Sequence, residues 1–324
     1  MAQTVIPTPK GGKVRVKTTR AAFVKGLREQ YILLIFLLPG VCSFLLFNYI
    51  PVLGNIIAFQ NYNPVFGVFG SRLVGWENFI RIINMPSVLS ALRNTLIISS
   101  LKLIFVFPSA IIFALLVNEV RNLKLKKAIQ TASYLPYFLS WVVAAGLWYK
   151  ILSPSDGVAN HLLMALRLID EPIYFMGKPQ YFYPIIVLSD IWKGVGWNAI
   201  IYIAAIASIS PDLYEAATMD GANKLQKTWH ITLPGIKPTI ILLLIMAVSS
   251  ILNAGFDQVY TMQNNVVMNV SDILDTLILR TLTVGGMRDM AYGAAIGLIK
   301  SVFGILLFIT VNKGSRWLFG ESML

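Results

Sequence analysis

The sequence is short of charge, of acids and of the residues that do chemistry. Charged residues make up 13% of its 324 positions, about half the share of a soluble globular protein. With 56% hydrophobic residues and a mean hydropathy of +0.68, an ordinary water-soluble domain is excluded. A single cysteine, Cys42, lies inside the first apolar run, so no internal disulfide can form. The two histidines, His161 and His230, stand far apart, and no Cys/His grouping has metal-ligand spacing. The absence of a GxxxxGK[ST] phosphate loop excludes nucleotide hydrolysis by that route. No internal repeat is visible. Acids number 15 against 27 lysines and arginines, a net charge of +12. These basic residues bracket apolar runs instead of forming a patch, which points to membrane topology and away from nucleic acid.

What is present is apolar sequence in long runs. A bilayer core asks for about 20 consecutive apolar residues in a helix. Six segments meet that need: 31–53, 92–118, 128–150, 182–209, 238–256 and 290–312. They predict an all-α, multi-pass membrane protein, with a basic tail over 1–30 and a transmembrane domain over 31–324. The run after the tail is too long for a signal peptide and lacks a cleavage site, so it reads as a retained first helix. Six spans put both termini on one side. With that side inside, the segments 1–30, 119–129, 209–237 and 313–324 carry seven, four, three and two basic residues, whereas 54–90, 153–180 and 257–289 carry two each. This bias predicts cytoplasmic termini and a cytoplasmic 209–237 connector. The tail is expected near anionic membrane lipid. The outer segments are long enough for surface helices but too short for a large inserted domain.

The connector is more patterned than a simple loop. Ser210-Pro211-Asp212 is a strong helix start: a capping hydroxyl, a proline suited to the first position, and an acid at the positive end of the dipole. A helix to about Asp220 follows, then a bend at Gly221. A second short helix is expected over about 222–230, with Pro234 breaking the chain before the fifth span begins near Pro238. Leu213, Ala216, Ala217 and Asp220 would share one face, the two alanines allowing close approach of another surface. Leu225 and Trp229, four apart, would share a face of the second helix. Glu215 and Asp220 lie near Lys224 and Lys227 in sequence. On composition alone, a solvated loop with local ion pairs accounts for the segment equally well.

The stretch EAATMDGANKLQKTWHITLP, residues 215–234, resembles the EAA loop of bacterial ATP-driven importer permeases. Glu215, Ala216, Ala217, Asp220, Gly221, Ala222, Ile231, Leu233 and Pro234 match the pattern. Thr228 departs from it, standing where an aromatic residue is frequent, and Trp229 follows. The segments 38–63, 74–82, 256–265 and 294–307 resemble the MalF-like permeases for oligo- and polysaccharides, so the likeness covers nearly all the chain after residue 30. It implies a six-helix type I importer fold of the MetI/MalF kind with a cytoplasmic coupling helix, in a bacterial inner membrane. It implies no catalytic residue and no cofactor in this chain, with ATP and Mg bound by a separate ATPase. The implied partners are a second homologous permease, two ATPase subunits and an extracytoplasmic solute-binding protein. In that setting Glu215 would pair with a basic residue of the ATPase, Ala216 and Ala217 would allow close packing, and Gly221 would set the bend. The implied cargo is a carbohydrate, with an alginate-type acidic polysaccharide among the candidates.

Polar residues inside spans are costly and mark candidate transport paths. Asp190 and Lys193 stand three apart in the fourth span and are expected to neutralise each other. Trp192, Trp197 and Asn198 add aromatic and amide groups to the same span. Asn253, Phe256, Asp257, Gln258 and Tyr260 cluster at the expected outer end of the fifth. Lys102 and Lys300 lie deep in the second and sixth spans and, with Lys193, would supply cations for an acidic cargo. Trp148 and Trp317 read as interfacial belt residues. The alternative class, an ion-coupled secondary transporter, would show repeated halves and intramembrane acids. This sequence has one deep acid, Asp190.

Overall fold

The computed structural model describes residues 31–319 apart from 285, 287 and 288. The basic tail, and the side chain of Trp317, lie outside the described residues. The chain divides into two compact units between Asn55 and Ile56.

The first unit is described from helix α1, Tyr31–Phe44, which runs on through a π turn, Leu45–Tyr49, into the short helix Ile50–Leu53. The Ile50 N–H reaches back five residues to the Leu45 carbonyl. Pro51 follows at once. A proline lacks the N–H for the helical ladder, and its ring collides with the carbonyl four residues earlier. Here that carbonyl belongs to Phe47, in the middle of the π turn, where the wider winding makes room.

The second unit opens with a two-residue antiparallel ribbon, β1 Gln60–Asn61 and β2 Arg72–Leu73, pairing Gln60 with Leu73 and Asn61 with Arg72. Helix α2, Glu77–Ile83, is anchored there by Asn78, whose amide donates to the Ala58 and Gln60 carbonyls at 2.8 and 2.9 Å. Next, α3, Pro86–Leu101, passes through a π turn, Lys102–Val106, into α4, Phe107–Asn118, a continuous 33-residue run. Pro108 sits two residues past that π turn, as Pro51 does past the first.

The expected third span, 128–150, is not one helix. It is α5, Leu123–Tyr134, a 3-10 turn Leu135–Phe138, and α6, Trp141–Ile151. Pro136 withholds a donor at the break, Leu139 and Ser140 are extended, and the Ser140 hydroxyl starts α6 by accepting from the Val143 N–H. Helix α7, Val158–Ala165, lies in the following connection. Helix α8, Pro179–Ala207, is the 29-residue centre of the unit and packs against α4, α5 and α11, Leu233–Ser249. Gly196 permits its closest crossing: a Cβ there would stand 2.4 Å from the Ser133 carbonyl oxygen of α5.

Between α8 and α11 come α9, Pro211–Met219, and α10, Lys224–Lys227, then a third π turn, Thr228–Thr232. Pro234 was expected to break the chain. Instead the helix runs unbroken from Lys224 to Ser249, because the carbonyl that Pro234 would strike, that of His230, lies inside the π turn. This helix ends at Ser249, short of the expected 256. Helices α12, Phe256–Met262, α13, Leu274–Thr283, and α14, Asp289–Phe319, complete the unit. Among the described residues, four helical runs are long and apolar enough to cross a membrane, or five if α8 and α9 count as one bent span. The difference from six is the broken third segment. Three buried clusters hold the unit together, centred on Ile186 with Met262 and Ile273, on Ile82 with Leu277 and Ala295, and on Ala199 with Ala110 and Ile236.

Candidate functional site

The 209–237 connector is assembled mostly by local bonds. The Ser210 hydroxyl accepts from the Asp212 N–H and starts α9, which leaves α8 at a bend of 70°. The chain turns at Gly221, whose φ of +78° suits a residue without Cβ. The Ala222 N–H closes the turn onto the Ala217 carbonyl at 2.9 Å. Asn223 and Gln226 then form a reciprocal capping box that starts α10. Two side-chain bonds tie α9 to the run that leads into α11: Tyr214 Oη with Thr232 Oγ1 of the π turn at 2.9 Å, and Lys227 Nζ of α10 to Thr218 Oγ1 at 2.7 Å.

Among the described residues, Glu215 and Asp220 form no salt bridge with Lys224 or Lys227, near as they lie in sequence. Lys224 instead pairs with Glu119, just past α4, at 2.9 Å. The expected shared face is also revised. Tyr214 and Ala217 are half-buried, while Glu215, Ala216 and Met219 are exposed, Met219 at 88%. Ala217 thus faces its own chain and Ala216 faces out. Leu225 and Trp229 are exposed, although the π turn begins between them. Asp220, Gly221 and Ala222 line a shallow hollow with Ala217, Gln226 and His230. Leu233 packs inward on the cluster around Ile236, and Pro234 is exposed. The segment is a short exposed helix on a stiff mount.

The second site lies among α3, α4, α8 and α11, where a cavity of about 530 Å³ opens. Four of the path candidates line it: Lys102, Trp197, Asn198 and Asn253. The expected Asp190–Lys193 pair does not form. Asp190 pairs with Lys102 at 2.8 Å, and Lys102 also donates to Gln258 Oε1 at 2.5 Å. Gln258 is itself 1% exposed and donates to the Ile186 carbonyl and the Ser189 hydroxyl, both at 2.8 Å. Gly255 makes the approach possible. Its φ is +89°, and a Cβ there would lie 2.7 Å from Lys102 Nζ.

Lys193 has another task. Its ammonium donates to the Tyr137 carbonyl at 2.7 Å, within 5.0 Å of the Tyr137 ring centre and 5.3 Å of the Trp141 ring centre. Carbonyls at a helix break need donors, and a cation suits them. Lys193 therefore serves the broken third segment. Tyr137 in turn stacks on Trp197, 4.4 Å apart and nearly parallel. Trp192 packs edge-on against Trp148 at 6.2 Å, so that Trp148 meets protein on at least one side.

The remaining path candidates do not line the cavity. Lys300 pairs with Asp275 of α13 at 2.5 Å. Asp257 and Tyr260 are exposed on α12, a helix separate from α11, and Tyr260 stacks on Phe256 at 5.3 Å. Sequence reasoning missed Ser99, Ser189, Gly255 and Tyr137. Ser99 lines the cavity, yet its buried hydroxyl has no hydrogen-bond partner among the described residues. Gly255 could have been suspected from its place just before an acid and an amide; nothing in the sequence marks Ser99.

Comparison with known proteins gives a consistent picture. A family model described as "Binding-protein-dependent transport system inner membrane component" matches residues 85–316. Protein LplB of Bacillus subtilis (strain 168) is 40% identical over 308 residues, 95% of this chain and 95% of that protein. The polygalacturonan/rhamnogalacturonan transport system permease protein YteP of the same organism is 40% identical over 301 residues, 92% of this chain and 91% of its own. A crystal structure of a bacterial ABC transporter involved in the import of the acidic polysaccharide alginate contains a chain that matches with a TM-score of 0.83 and 36% identity, over 92% of this chain and 99% of that one. The bacterial alginate ABC transporter in complex with alginate pentasaccharide-bound periplasmic protein matches with a TM-score of 0.84 at the same identity and coverage.

Proposed function

The chain belongs to the family of binding-protein-dependent transport system inner membrane components, and from that premise we propose its cargo, its partners and its coupling site. It is a multi-pass membrane permease subunit of a binding-protein-dependent importer. Its cargo is a carbohydrate, an oligo- or polysaccharide. The named cargoes of YteP and of the alginate importer support that reading. The chain forms half of the membrane path beside a second homologous permease. It works with an extracytoplasmic solute-binding protein and two ATPase subunits that hold ATP and Mg and perform the hydrolysis. Its termini and the 210–237 connector face the cytoplasm, in keeping with the basic residues of that connector.

The observation that carries the coupling assignment is α9, an exposed helix set at 70° to α8 and bonded to the run that leads into α11. Its outward Glu215, Ala216 and Met219 offer one charge, one flat spot and one adaptable apolar side chain to a partner groove. Movement imposed there passes into two long helices that border the cavity. An ion-coupled carrier, the alternative, needs an intramembrane acid free to bind its ion. Asp190 is held by Lys102 instead.

The test is ATP hydrolysis by the reconstituted importer with and without saccharide-loaded binding protein. Loaded binding protein should raise hydrolysis, and Glu215→Lys should remove the rise while assembly stays intact. Uptake that follows an ion gradient and ignores ATP would overturn the reading in favour of the carrier.

A further inference from the structure

We propose that Lys102 is the cavity's reader of a sugar carboxylate, and that Asp190 occupies its ammonium when no cargo is present; this rests on the carbohydrate reading above. The cargo class is then narrowed to uronate-containing saccharides, chains whose sugars carry carboxylates.

Of the three intramembrane lysines once open as cations for an acidic cargo, the structure leaves one. Lys193 is 8% exposed and engaged with the Tyr137 carbonyl and two rings. Lys300 is paired with Asp275 and is not part of the cavity wall. Lys102 lines the cavity, and the side chains of its pair with Asp190 keep 16% and 23% exposure, so the contact is reachable. Gln258 accepts from the ammonium, and the missing side chain of Gly255 leaves room for it.

The rest of the wall suits a sugar. Ser99, one turn before Lys102 on the same helix face, carries a buried hydroxyl with no partner among the described residues. A buried polar group left unpaired in a native site calls for an explanation, and a ligand hydroxyl supplies one. Asn198 and Asn253 offer amides, and the Trp197 indole, stacked flat on Tyr137, offers an aromatic face for C–H groups.

The exchange is between like groups. A uronate carboxylate presents to Lys102 the same two oxygens that Asp190 presents, so one charge-assisted contact replaces another and the lysine is never left bare. A neutral sugar cannot make that replacement. The empty cavity also keeps no uncompensated cation at membrane depth, where one is costly.

The experiment uses the full importer in proteoliposomes, with tetragalacturonate as the acidic probe and its methyl ester as the neutral one. Each is supplied at a concentration shown by titration to saturate the binding protein. The readout is the ratio of acid to ester transport rates. Lys102→Gln should lower that ratio about tenfold or more, the range of one lost charge-assisted bond. Lys102→Arg should keep most of it, and Asp190→Asn should not lower it. Because Lys102→Gln leaves Asp190 alone and could misfold, Lys102→Gln with Asp190→Asn serves as the second variant and should show the same loss. An unchanged ratio in the double variant overturns the proposal and leaves the carbohydrate reading standing. If wild type moves neither probe nor any other saccharide, the carbohydrate reading falls and the proposal with it.

Discussion

The 209–237 connector and the Lys102–Asp190–Gln258 cluster are both small polar assemblies, yet they are built oppositely. In the connector, apart from the exposed Lys224–Glu119 pair, partners lie close in sequence. Asn223 and Gln226 are three residues apart, and Lys227 reaches Thr218 nine residues back. In the cluster, Lys102 meets Gln258 across 156 positions, and Gln258 meets Ser189 across 69. The connector is surrounded by solvent, where a polar group left single costs little. The cluster sits among apolar helices, where each group must find a partner or remain unsatisfied. Local wiring makes the connector a preformed part that can present its outward face without refolding. Distant wiring makes the cluster a point where three separate helices check one another's positions.

Four substitutions probe that contrast, and their effects should fall in order. Lys102→Met leaves Asp190 charged among apolar helices and should destabilise the folded chain by about 3 kcal/mol. Unfolding in mixed micelles reads the loss, and adding Asp190→Asn should restore most of it. A fully additive double-mutant cycle would sink the idea that the two act as a pair. Gly255→Ala places a methyl against Lys102 in a left-handed backbone and should cost about 2 kcal/mol by the same measurement. Asn223→Ala removes the capping box and should cost about 1 kcal/mol. Its effect should be confined to amide exchange around 223–227, and exchange spreading to α8 would show that the connector is less local than described. Lys224→Met removes an exposed pair with Glu119 and should cost about 0.5 kcal/mol, fading as salt is added.

The same contrast explains what could be read without coordinates. The Ser210 cap, the α9 helix and the Gly221 bend follow from neighbours within a few residues, and the structure has all three. Asp190 and Lys193 mislead for the converse reason. Three residues apart, they satisfy the local rule for a pair, but each finds a better partner on another helix. The broken third segment hides in the same way. Apolar composition runs straight through 128–150, and the break at Leu135–Phe138 is held by a lysine more than fifty residues later. Ser99 carries no signal in the sequence, because its interest lies in a hydroxyl that finds no partner among the described residues. The long apolar runs were legible because hydrocarbon imposes a length that composition alone can meet.

The π turns ahead of Pro51, Pro108 and Pro234 have a consequence for insertions and deletions. Each contains one residue more than an α-helix would use, and its wider winding absorbs that residue, so the segments on either side keep nearly the phase of one continuous helix. The extra residue in 228–232 therefore makes room for Pro234 without turning the connector relative to α11. Deleting it would restore ordinary winding, leave Lys227 near Thr218, and return the His230 carbonyl to the path of the Pro234 ring. The turn and the proline thus belong together, and losing the one would make the other a kink.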